Sequence, residues 1–296
     1  MFSQIPNLLA ERTRSLRWKW QTSLGMINRR VNREIHAVPI GPLDHLHHET
    51  LNLDSKDYYQ LTDTAILSHY SRLGYLHSKP LEYLTSLSLL ELPDGSTLLD
   101  AAGGGAAEFS RAVNELRQGK INLLCQDAVD HLLAASTPNL TYIGGSIDTI
   151  PIADSSVDGV TCHHSIEHFQ SDLDVRFLQE AIRVLRPGGK LIVVPLFITN
   201  IYAEIWNRHP SGQFDPAATT VVDHTAAFAG WGPYEGFART YSPDAFKRRV
   251  LNSIPDSCSV SVFDVCVDGV EVPDMNHNRH QPLLNGGMRV LRVVKG

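Results

Sequence analysis

Between residues 97 and 197 the sequence alternates short apolar runs with stretches of helical periodicity. The apolar runs are TLLDA, INLLCQD, LTYIGGS, VDGVTCHH and KLIVVPLF, and each has the length of a strand. The helical stretches are residues 107–116, 128–133 and 173–185. Strands that alternate with helices favour a parallel sheet that is covered on both faces. The sequence therefore predicts a doubly wound, Rossmann-like α/β architecture.

Further elements are predicted at either end of this region. Apolar residues recur at helical spacing from Tyr58 to Leu92, and LPDGS follows with turn chemistry. YSPDAFKRRVLN predicts a helix with Ser242 as its N-cap and Pro243 at its first position. SVSVFDVCV and MRVLRVVK predict two final strands. No internal repeat appears, so we expect one compact domain over residues 51–296.

The N-terminal segment differs from this domain in charge. Residues 1–34 contain seven Arg and Lys against two Glu, whereas the whole chain has a net charge of −6. An acidic body argues against a nucleic-acid partner. We expect residues 1–50 to be a basic arm whose helix is solvated or packed. Contact of residues 1–34 with an anionic membrane surface or with a partner is the alternative, and a transit peptide is a third option.

The sequence contains neither a membrane-spanning apolar run nor a start typical of a signal peptide, which predicts a protein of the cytoplasm. Apolar residues make up 43% of the chain, but the longest apolar run, residues 191–198, is too short to span a bilayer. The four cysteines form no Cys-x-x-Cys pair, and three lie in predicted strands. We therefore expect reduced, mostly buried thiols.

The oligomeric state of the protein is left open by the sequence.

The stretch LLDAAGGGAAEF follows the first predicted strand of the parallel sheet. In such sheets ligands bind beyond the carboxyl ends of the strands, and the turn after this strand lies nearest to them. Three consecutive glycines from Gly103 allow a sharp turn and a close approach of the backbone to a ligand. Asp100 precedes them, where it would repel a pyrophosphate and hold an amino group. This order disfavours a nicotinamide dinucleotide.

These residues resemble the first motif of the class I S-adenosylmethionine-dependent methyltransferases, acidic-x-Gly-x-Gly-x-Gly. The motif falls on Asp100, Ala102, Gly104 and Ala106, so two of the three family glycines are alanines here. GGSIDTIPIADSSVDGV and LQEAIRVLRPGGKLIVV are similar to later family segments, and the resemblance covers residues 95–296. It implies a seven-stranded sheet, mostly parallel, with an antiparallel C-terminal strand.

The resemblance also implies S-adenosyl-L-methionine as the cofactor. Asp127 ends the second strand, where the family has the carboxylate for the ribose hydroxyls. Ser146 stands where the family has an aspartate for the adenine amino group, and Ile147 is placed to pack against adenine. The full predicted set of cofactor contacts is Asp100, Ala101, Ala102, Gly103, Gly104, Asp127, Ser146, Ile147, Cys162 and His163.

Three histidines are predicted as catalytic residues. Methyl transfer to a hydroxyl requires removal of a proton, and histidine suits that task near neutral pH. His163 follows the fourth strand as a cofactor or acceptor contact, and His168 is a candidate base. The alternative is that His168 and Glu167 only cap or orient a helix. His224 is a third candidate.

His224 lies in a long insertion, residues 195–257, which we expect to build acceptor specificity as a mobile lid. Its polar and aromatic groups suit a sugar or another polyhydroxylated acceptor, although a structural loop that completes the core is the alternative. The groups concerned are Asp223, His224, Trp231, Tyr234, Glu235 and Arg239.

Metal ligation is not predicted. DHLHHE at residues 44–49 and HNRH at residues 277–280 contain possible ligands, but neither has the spacing of a zinc site.

The favoured function is a methyltransferase that acts on a small-molecule acceptor, such as a hydroxyl of a sugar or secondary metabolite. The alternative is a catalytically degenerate binding or scaffolding subunit, and a nicotinamide-dependent oxidoreductase ranks third.

Overall fold

A computed structural model describes residues 35–38, 46–128, 136–206, 210, 214–222, 236–272 and 287–296. The predicted basic arm at residues 1–34 lies outside the described residues. So do residues 129–133 of a predicted helix and the histidine cluster at residues 277–280. No helix in the described ranges has the length and apolar character needed to cross a membrane.

Twelve strands are found in the described part of the chain. They are β1 (His47–Leu53), β2 (Thr97–Ala101), β3 (Asn122–Asp127), β4 (Leu140–Gly144), β5 (Val157–His163), β6 (Leu185–Val194), β7 (Ala203–Trp206), β8 (Thr219–Val222), β9 (Phe237–Thr240), β10 (Ser259–Val267), β11 (Val270–Glu271) and β12 (Met288–Val294). The large sheet has the order β1-β10-β12-β6-β5-β2-β3-β4, with β11 paired to β10. Strands β2 to β6 are mutually parallel, and β12 is antiparallel to both of its neighbours. The predicted fold class is confirmed.

Six α-helices accompany these strands in the same ranges. They are α1 (Ser55–Thr62), α2 (Ser68–Ser71), α3 (Ser78–Leu90), α4 (Glu108–Leu116), α5 (Leu173–Val184) and α6 (Pro243–Arg249). The single helical region expected over residues 58–92 is therefore three helices. Gly74 has φ +71°, a left-handed conformation that no α-helix continues. The side chain of His77 then caps α3 by accepting from the Lys79 N–H.

Helices cover both faces of the large sheet. Leu98 of β2 packs in the cluster that contains α3 and α4. Its neighbour Leu99 packs in the opposite cluster with α5 and α6. Successive side chains of a strand point to opposite faces, so an uninterrupted apolar run is buried on both sides. The predicted double covering is confirmed, and α6 begins as expected with the Ser242 side chain bonded to the Ala245 N–H.

The strand order places a switch point between β2 and β5. From β2 the chain adds β3 and β4 on one side, and then crosses over to add β5 and β6 on the other. The connections that leave β2 and β5 therefore diverge, which opens a crevice at their carboxyl ends. Asp100 lies next to the last residue of β2, and His163 is the last residue of β5.

Three features of the fold were not predicted. β1 pairs with β10 in parallel, from His47 opposite Ser261 to Leu53 opposite Val267, so the sheet includes residues before residue 50. β6 begins at Leu185, five residues before the predicted strand KLIVVPLF, so residues 186–189 lie inside the strand. Within the insertion, β8, β7 and β9 form a separate three-stranded sheet.

Candidate active site

The turn after β2 needs a bare backbone for two different reasons. A Cβ on Gly103 would lie 2.6 Å from Asp100 Oδ2 and 2.8 Å from Cys125 Sγ, so no side chain fits there. Gly104 has φ +73° and faces open space, with no atom within 4 Å of an added Cβ. Ala102 also adopts a left-handed φ of +53°, although it carries a side chain. The turn thus keeps its shape where the family glycine is replaced by alanine.

The ends of β3 and β4 hold this turn in place. The Gly104 N–H donates to Asp127 Oδ2 at 2.9 Å. The Ala102 N–H donates to Gln126 Oε1 at 3.2 Å, and Gln126 Nε2 donates to the Gly145 carbonyl at 2.6 Å. Side chains at the end of β3 therefore connect the turn after β2 to the turn after β4.

Asp100 is buried below the turn, with 1% of its surface exposed. Its carboxylate accepts from the Ser110 hydroxyl at 3.0 Å and from the Thr161 hydroxyl at 3.3 Å. His163 Nδ1 lies 3.5 Å from Asp100 Oδ1. Three elements, α4 and the ends of β2 and β5, thus meet at this carboxylate. Its contact with an ammonium group stays a prediction.

His163 is buried behind the same turn. Its Nε2 lies 2.8 Å from the Ser86 hydroxyl of α3, and its ring packs against Phe109 and Tyr83. Burial lowers the pKa of His163, despite the opposing effect of Asp100. A neutral imidazole therefore links α3 to the end of β2. The ring of His163 contacts protein side chains on the α3 side. Its predicted catalytic role therefore stays a prediction.

The next residue, His164, lies among charged groups. His164 Nδ1 is 3.1 Å from Glu82 Oε1, and the other oxygen of Glu82 accepts from Lys79 Nζ at 3.1 Å. Burial lowers the pKa of His164, but Glu167 and Glu82 outweigh that effect and raise it above its ordinary value. Burial likewise raises the pKa of Glu82, yet Lys79 and His164 lower it to about 2. The ionised form of Glu82 and the protonated form of His164 therefore stabilise each other.

Glu167 and His168 complete this region in a short 3-10 turn after β5. His168 Nδ1 donates to the Phe237 carbonyl at 2.6 Å, which fixes the proton on that nitrogen because a carbonyl can only accept. His168 Nε2 lies 3.7 Å from Glu167 Oε1, and 23% of the His168 side chain is exposed. The predicted base is thus accessible and anchored to β9.

Tyrosines from α2 and α3 reach the start of α4. The Tyr83 hydroxyl donates to Glu108 Oε2 at 3.0 Å, and the Tyr70 hydroxyl lies 3.5 Å from the same oxygen. Burial and the charge of Glu108 raise the pKa of both phenols, so they remain neutral donors. The helices before β2 therefore cover one side of the glycine turn.

The remaining predicted cofactor contacts lie at the ends of β2, β4 and β5. The Ser146 hydroxyl donates to Asp148, whose carboxylate also pairs with Arg176 at 2.6 Å. Ile147 is 6% exposed, and Ala101 and Cys162 are fully buried. The structure brings this set to one edge of the sheet, as predicted, and the individual contacts stay predictions. Asp148 follows Ser146 closely enough to supply a carboxylate there.

Arg239 corrects one prediction for the insertion. It was expected among the polar groups of a mobile lid, but it lies fully buried in β9. Its guanidinium pairs with Asp174 and Glu204, both at 3.0 Å, and donates to the carbonyls of Phe169 and Ser171. These bonds fix the small sheet to the chain after His168. The other five residues named for the lid lie outside the described residues: Asp223, His224, Trp231, Tyr234 and Glu235.

Sequence reasoning missed the contribution of α3. Lys79, Glu82 and Ser86 fall at i, i+3 and i+7, so they share one face of that helix. Polar residues at this spacing beside an apolar stripe were the available signal. Glu167 was noticed only as a partner of His168.

Metal ligands and thiols can be assessed in the described ranges. No group of three or more His, Cys, Asp or Glu there is arranged to hold a metal ion. His48 of the first histidine cluster pairs instead with Asp264 at 2.8 Å. All four cysteines are free, and Cys125, Cys162 and Cys266 are buried, which agrees with the burial expected for most of them.

Comparison with known proteins agrees with this architecture. The family described as "Methyltransferase domain" matches residues 99–193. A demethylmenaquinone methyltransferase of Corynebacterium glutamicum is 30% identical over 173 residues, which cover 57% of this chain and 69% of the relative. A phthiotriol/phenolphthiotriol dimycocerosates methyltransferase of Mycobacterium ulcerans is 34% identical over 120 residues, which cover 38% of this chain and 40% of the relative.

A crystal structure of an S-adenosylmethionine-dependent methyltransferase from Mesorhizobium loti matches with a TM-score of 0.48 and 15% identity. It covers 72% of this chain and 98% of that one. The chain spans between 37% and 64% of the length of the first three curated relatives.

The chain belongs to the class I S-adenosylmethionine-dependent methyltransferases, in the methyltransferase type 11 family. The residues present fit the cofactor of that family. Open space lies over Gly104, and Asp127 lies beside it at the end of β3. Asp100 and Asp127 lie at this edge of the sheet, and carboxylates suit a ligand that carries an ammonium and a sulfonium.

Proposed function

We propose that this chain transfers a methyl group from S-adenosylmethionine to a small-molecule acceptor. The observation that carries the proposal is the turn at Gly103 and Gly104, bonded to Asp127 at the switch point of the sheet. This turn lies within the segment that matches the methyltransferase family. The methyltransferases of quinone and lipid acceptors among its relatives also support a small-molecule acceptor.

In this proposal the residues around the turn bind and orient the cofactor. Asp127 accepts from the ribose hydroxyls while it keeps its bond to Gly104. Ile147 supplies an apolar surface for the adenine, and Ser146 with Asp148 supplies polar contacts at its edge. When bound, the cofactor supplies an electrophilic methyl carbon on a positively charged sulfur. The methyl carbon must then lie about 3 to 3.5 Å from the acceptor atom.

His168 is the proposed base for the acceptor. Its Nδ1 proton is committed to the Phe237 carbonyl, so Nε2 is the nitrogen that can take a proton. Its side chain is partly exposed, whereas His163 is almost fully buried. A hydroxyl of a sugar or a secondary metabolite would present a proton of this kind. These features support a hydroxyl acceptor as the finer part of the proposal.

Calorimetric titration of the full chain with S-adenosylmethionine and S-adenosylhomocysteine tests the proposal, with NADH as the comparison ligand. We expect saturable binding of the first two and none of NADH. Transfer of labelled methyl groups to a panel of sugars, phenols and quinols then identifies the acceptor. Absence of cofactor binding would favour the alternative suggested by Ala102, Ala106 and Ser146, a degenerate scaffolding subunit.

A further inference from the structure

Glu167 is a buried carboxylate whose hydrogen-bonding capacity is unused in the described part of the chain. Its side chain is 2% exposed, and neither oxygen meets a hydrogen-bond donor among the described residues. A buried carboxylate without such bonds is costly, and it persists where charge partners or function retain it. The two nearest partners are His164 Nε2 at 3.5 Å and His168 Nε2 at 3.7 Å.

These contacts belong to a row of alternating carboxylates and imidazoles. Glu82 of α3 lies 3.1 Å from His164, which lies 3.5 Å from Glu167, which in turn lies 3.7 Å from His168. Lys79 completes the row behind Glu82 at 3.1 Å. The row runs from a buried helix to the partly exposed ring of the proposed base.

Other titratable groups next to the row are few in the described ranges. The Cys162 thiol lies close enough to feel Glu167, and burial together with that carboxylate raises the pKa of Cys162 well above its ordinary value. On the α3 side, Glu82 also interacts with His163 and His77, and with the neutral phenols of Tyr70 and Tyr83. The thiol stays neutral, so the ionisable groups in the described ranges that face Glu167 most closely are the two histidine rings.

We infer that Glu167 is a positioning residue that acts through His168, and that His164, held by Glu82, fixes the place of Glu167. A negative charge 3.7 Å from Nε2 stabilises the imidazolium that forms when His168 takes a proton. His164 lies between the carboxylates of Glu82 and Glu167 and links them. This inference rests on the proposed function.

The proton and charge balance define the acceptor. With the cofactor bound, the bond between the attacking oxygen or nitrogen and its hydrogen would break, and the proton would bond to His168 Nε2. The attacking atom would bond to the methyl carbon as the bond from that carbon to sulfur breaks, and the electron pair of the broken bond would stay on sulfur. The positive charge lost from sulfur thereby reappears on the imidazolium next to Glu167. The acceptor class is thus a molecule whose attacking atom carries a proton, such as a hydroxyl, a phenol or an amine.

Nuclear magnetic resonance titration of the His164 and His168 rings in the full chain tests the coupling without any acceptor. We expect Glu167→Gln to lower the titration midpoints of both rings by about one pH unit or more, because each loses an opposite charge at short range. Glu167→Asp should recover part of this shift. Glu91→Gln is the matched control, since Glu91 is an exposed carboxylate paired with Lys190 beyond the end of α3. Unchanged midpoints in Glu167→Gln would overturn the inference.

The wild-type chain provides a second test if Glu167→Gln does not fold. Coupled groups titrate together, so each ring should report the transition of the other. Single, independent transitions of the two rings would contradict the inference. Failure of wild type to bind S-adenosylhomocysteine would instead remove the proposed function and leave the coupling intact.

The last test measures the methyltransferase activity of Glu167→Gln, with an acceptor found in the methyl-transfer screen. Glu167→Gln should lower kcat about 10²-fold at pH 7, the low end of what general base catalysis contributes, and leave the KM for S-adenosylmethionine within about twofold. The acid limb of its pH profile should also move. A larger KM with an unchanged kcat would overturn the positioning role.

Discussion

The carboxylate of Asp127 accepts a hydrogen bond of 2.9 Å from the Gly104 N–H, across the ends of two neighbouring parallel strands. We propose that the same carboxylate accepts from the ribose hydroxyls of the cofactor. A hydrogen bond to a charged group contributes about 1.5–3 kcal/mol, so Asp127→Asn should weaken binding of S-adenosylhomocysteine about 10- to 100-fold. Calorimetric titration measures this change. Asp94→Asn is the control, because Asp94 is an exposed carboxylate in the turn before β2, away from the carboxyl ends of the strands. Equal affinity in Asp127→Asn and wild type would show that the ribose contact is misplaced.

Gly104→Ala should reduce cofactor affinity by filling the open space over the turn. The added Cβ meets no protein atom within 4 Å, so the cost in stability is only that of a left-handed alanine, about 1–2 kcal/mol. Gly269→Ala has the same cost, since Gly269 has φ +80° and equally open surroundings in the turn between β10 and β11. Titration of both variants should show weak binding only for Gly104→Ala. Similar affinities would mean that the cofactor does not approach this turn.

Ala102→Gly should stabilise the protein. Ala102 holds φ +53°, where a side chain costs about 1–2 kcal/mol, and part of that gain is offset by the greater freedom of glycine in the unfolded chain. We expect the free energy of unfolding in urea to rise by about 1 kcal/mol. Ala101→Gly, inside β2, should lower it instead, since no positive φ is relieved there. A fall in Ala102→Gly would contradict the strain argument.

Arg239→Met should destabilise the fold by about 3–5 kcal/mol. The substitution leaves Glu204 as a buried carboxylate without its cation and removes one of the two arginines on Asp174. Urea unfolding gives the free energy directly. Arg248→Met serves for comparison, because Arg248 is half exposed and lies 3.7 Å from Asp215, and it should cost less than about 1 kcal/mol. Equal effects in the two variants would argue against the buried network.

Stability should fall in acid as Glu82 is protonated. Its pKa is lowered from an ordinary 4.5 to about 2, so its contribution is fully present above pH 4.5 and is lost as the pH falls towards 2. Urea unfolding between pH 5 and pH 2 should therefore show a weaker pH dependence in Glu82→Gln than in wild type. The exposed carboxylate variant Glu271→Gln should follow wild type over this range. Parallel curves for Glu82→Gln and wild type would show that the Glu82 pKa is not lowered.

The central strands could be predicted because each is buried on both faces, which leaves an uninterrupted apolar run in the sequence. β1 gave no such signal. Its side chains are exposed over most of its length, and its partner β10 lies more than 200 residues further along the chain. The helical region from Tyr58 was predicted as a whole, but its division into three helices depends on local turns such as that at Gly74.

Some residues of the candidate site could likewise be predicted from the sequence and others could not. Asp100, Gly104 and Asp127 were predictable because the carboxyl ends of parallel strands share one edge of the sheet. Glu82 and Ser86 were not, since their place depends on how α3 packs against the end of β5. Arg239 was misjudged because a charged residue in an insertion is usually at the surface. Only its contacts with Asp174 and Glu204 reveal that it is buried.

Helix α3 packs against the end of β5, so the candidate site includes residues that precede the segment matched by the family. The segment that matches the family starts at residue 99, yet the side chains that neutralise His164 and contact His163 come from residues 82 and 86. A fragment cut at the start of β2 would retain the central strands and lose those partners. The smallest piece of this chain that keeps the contacts of His163 and His164 therefore begins upstream of the family match, at α3.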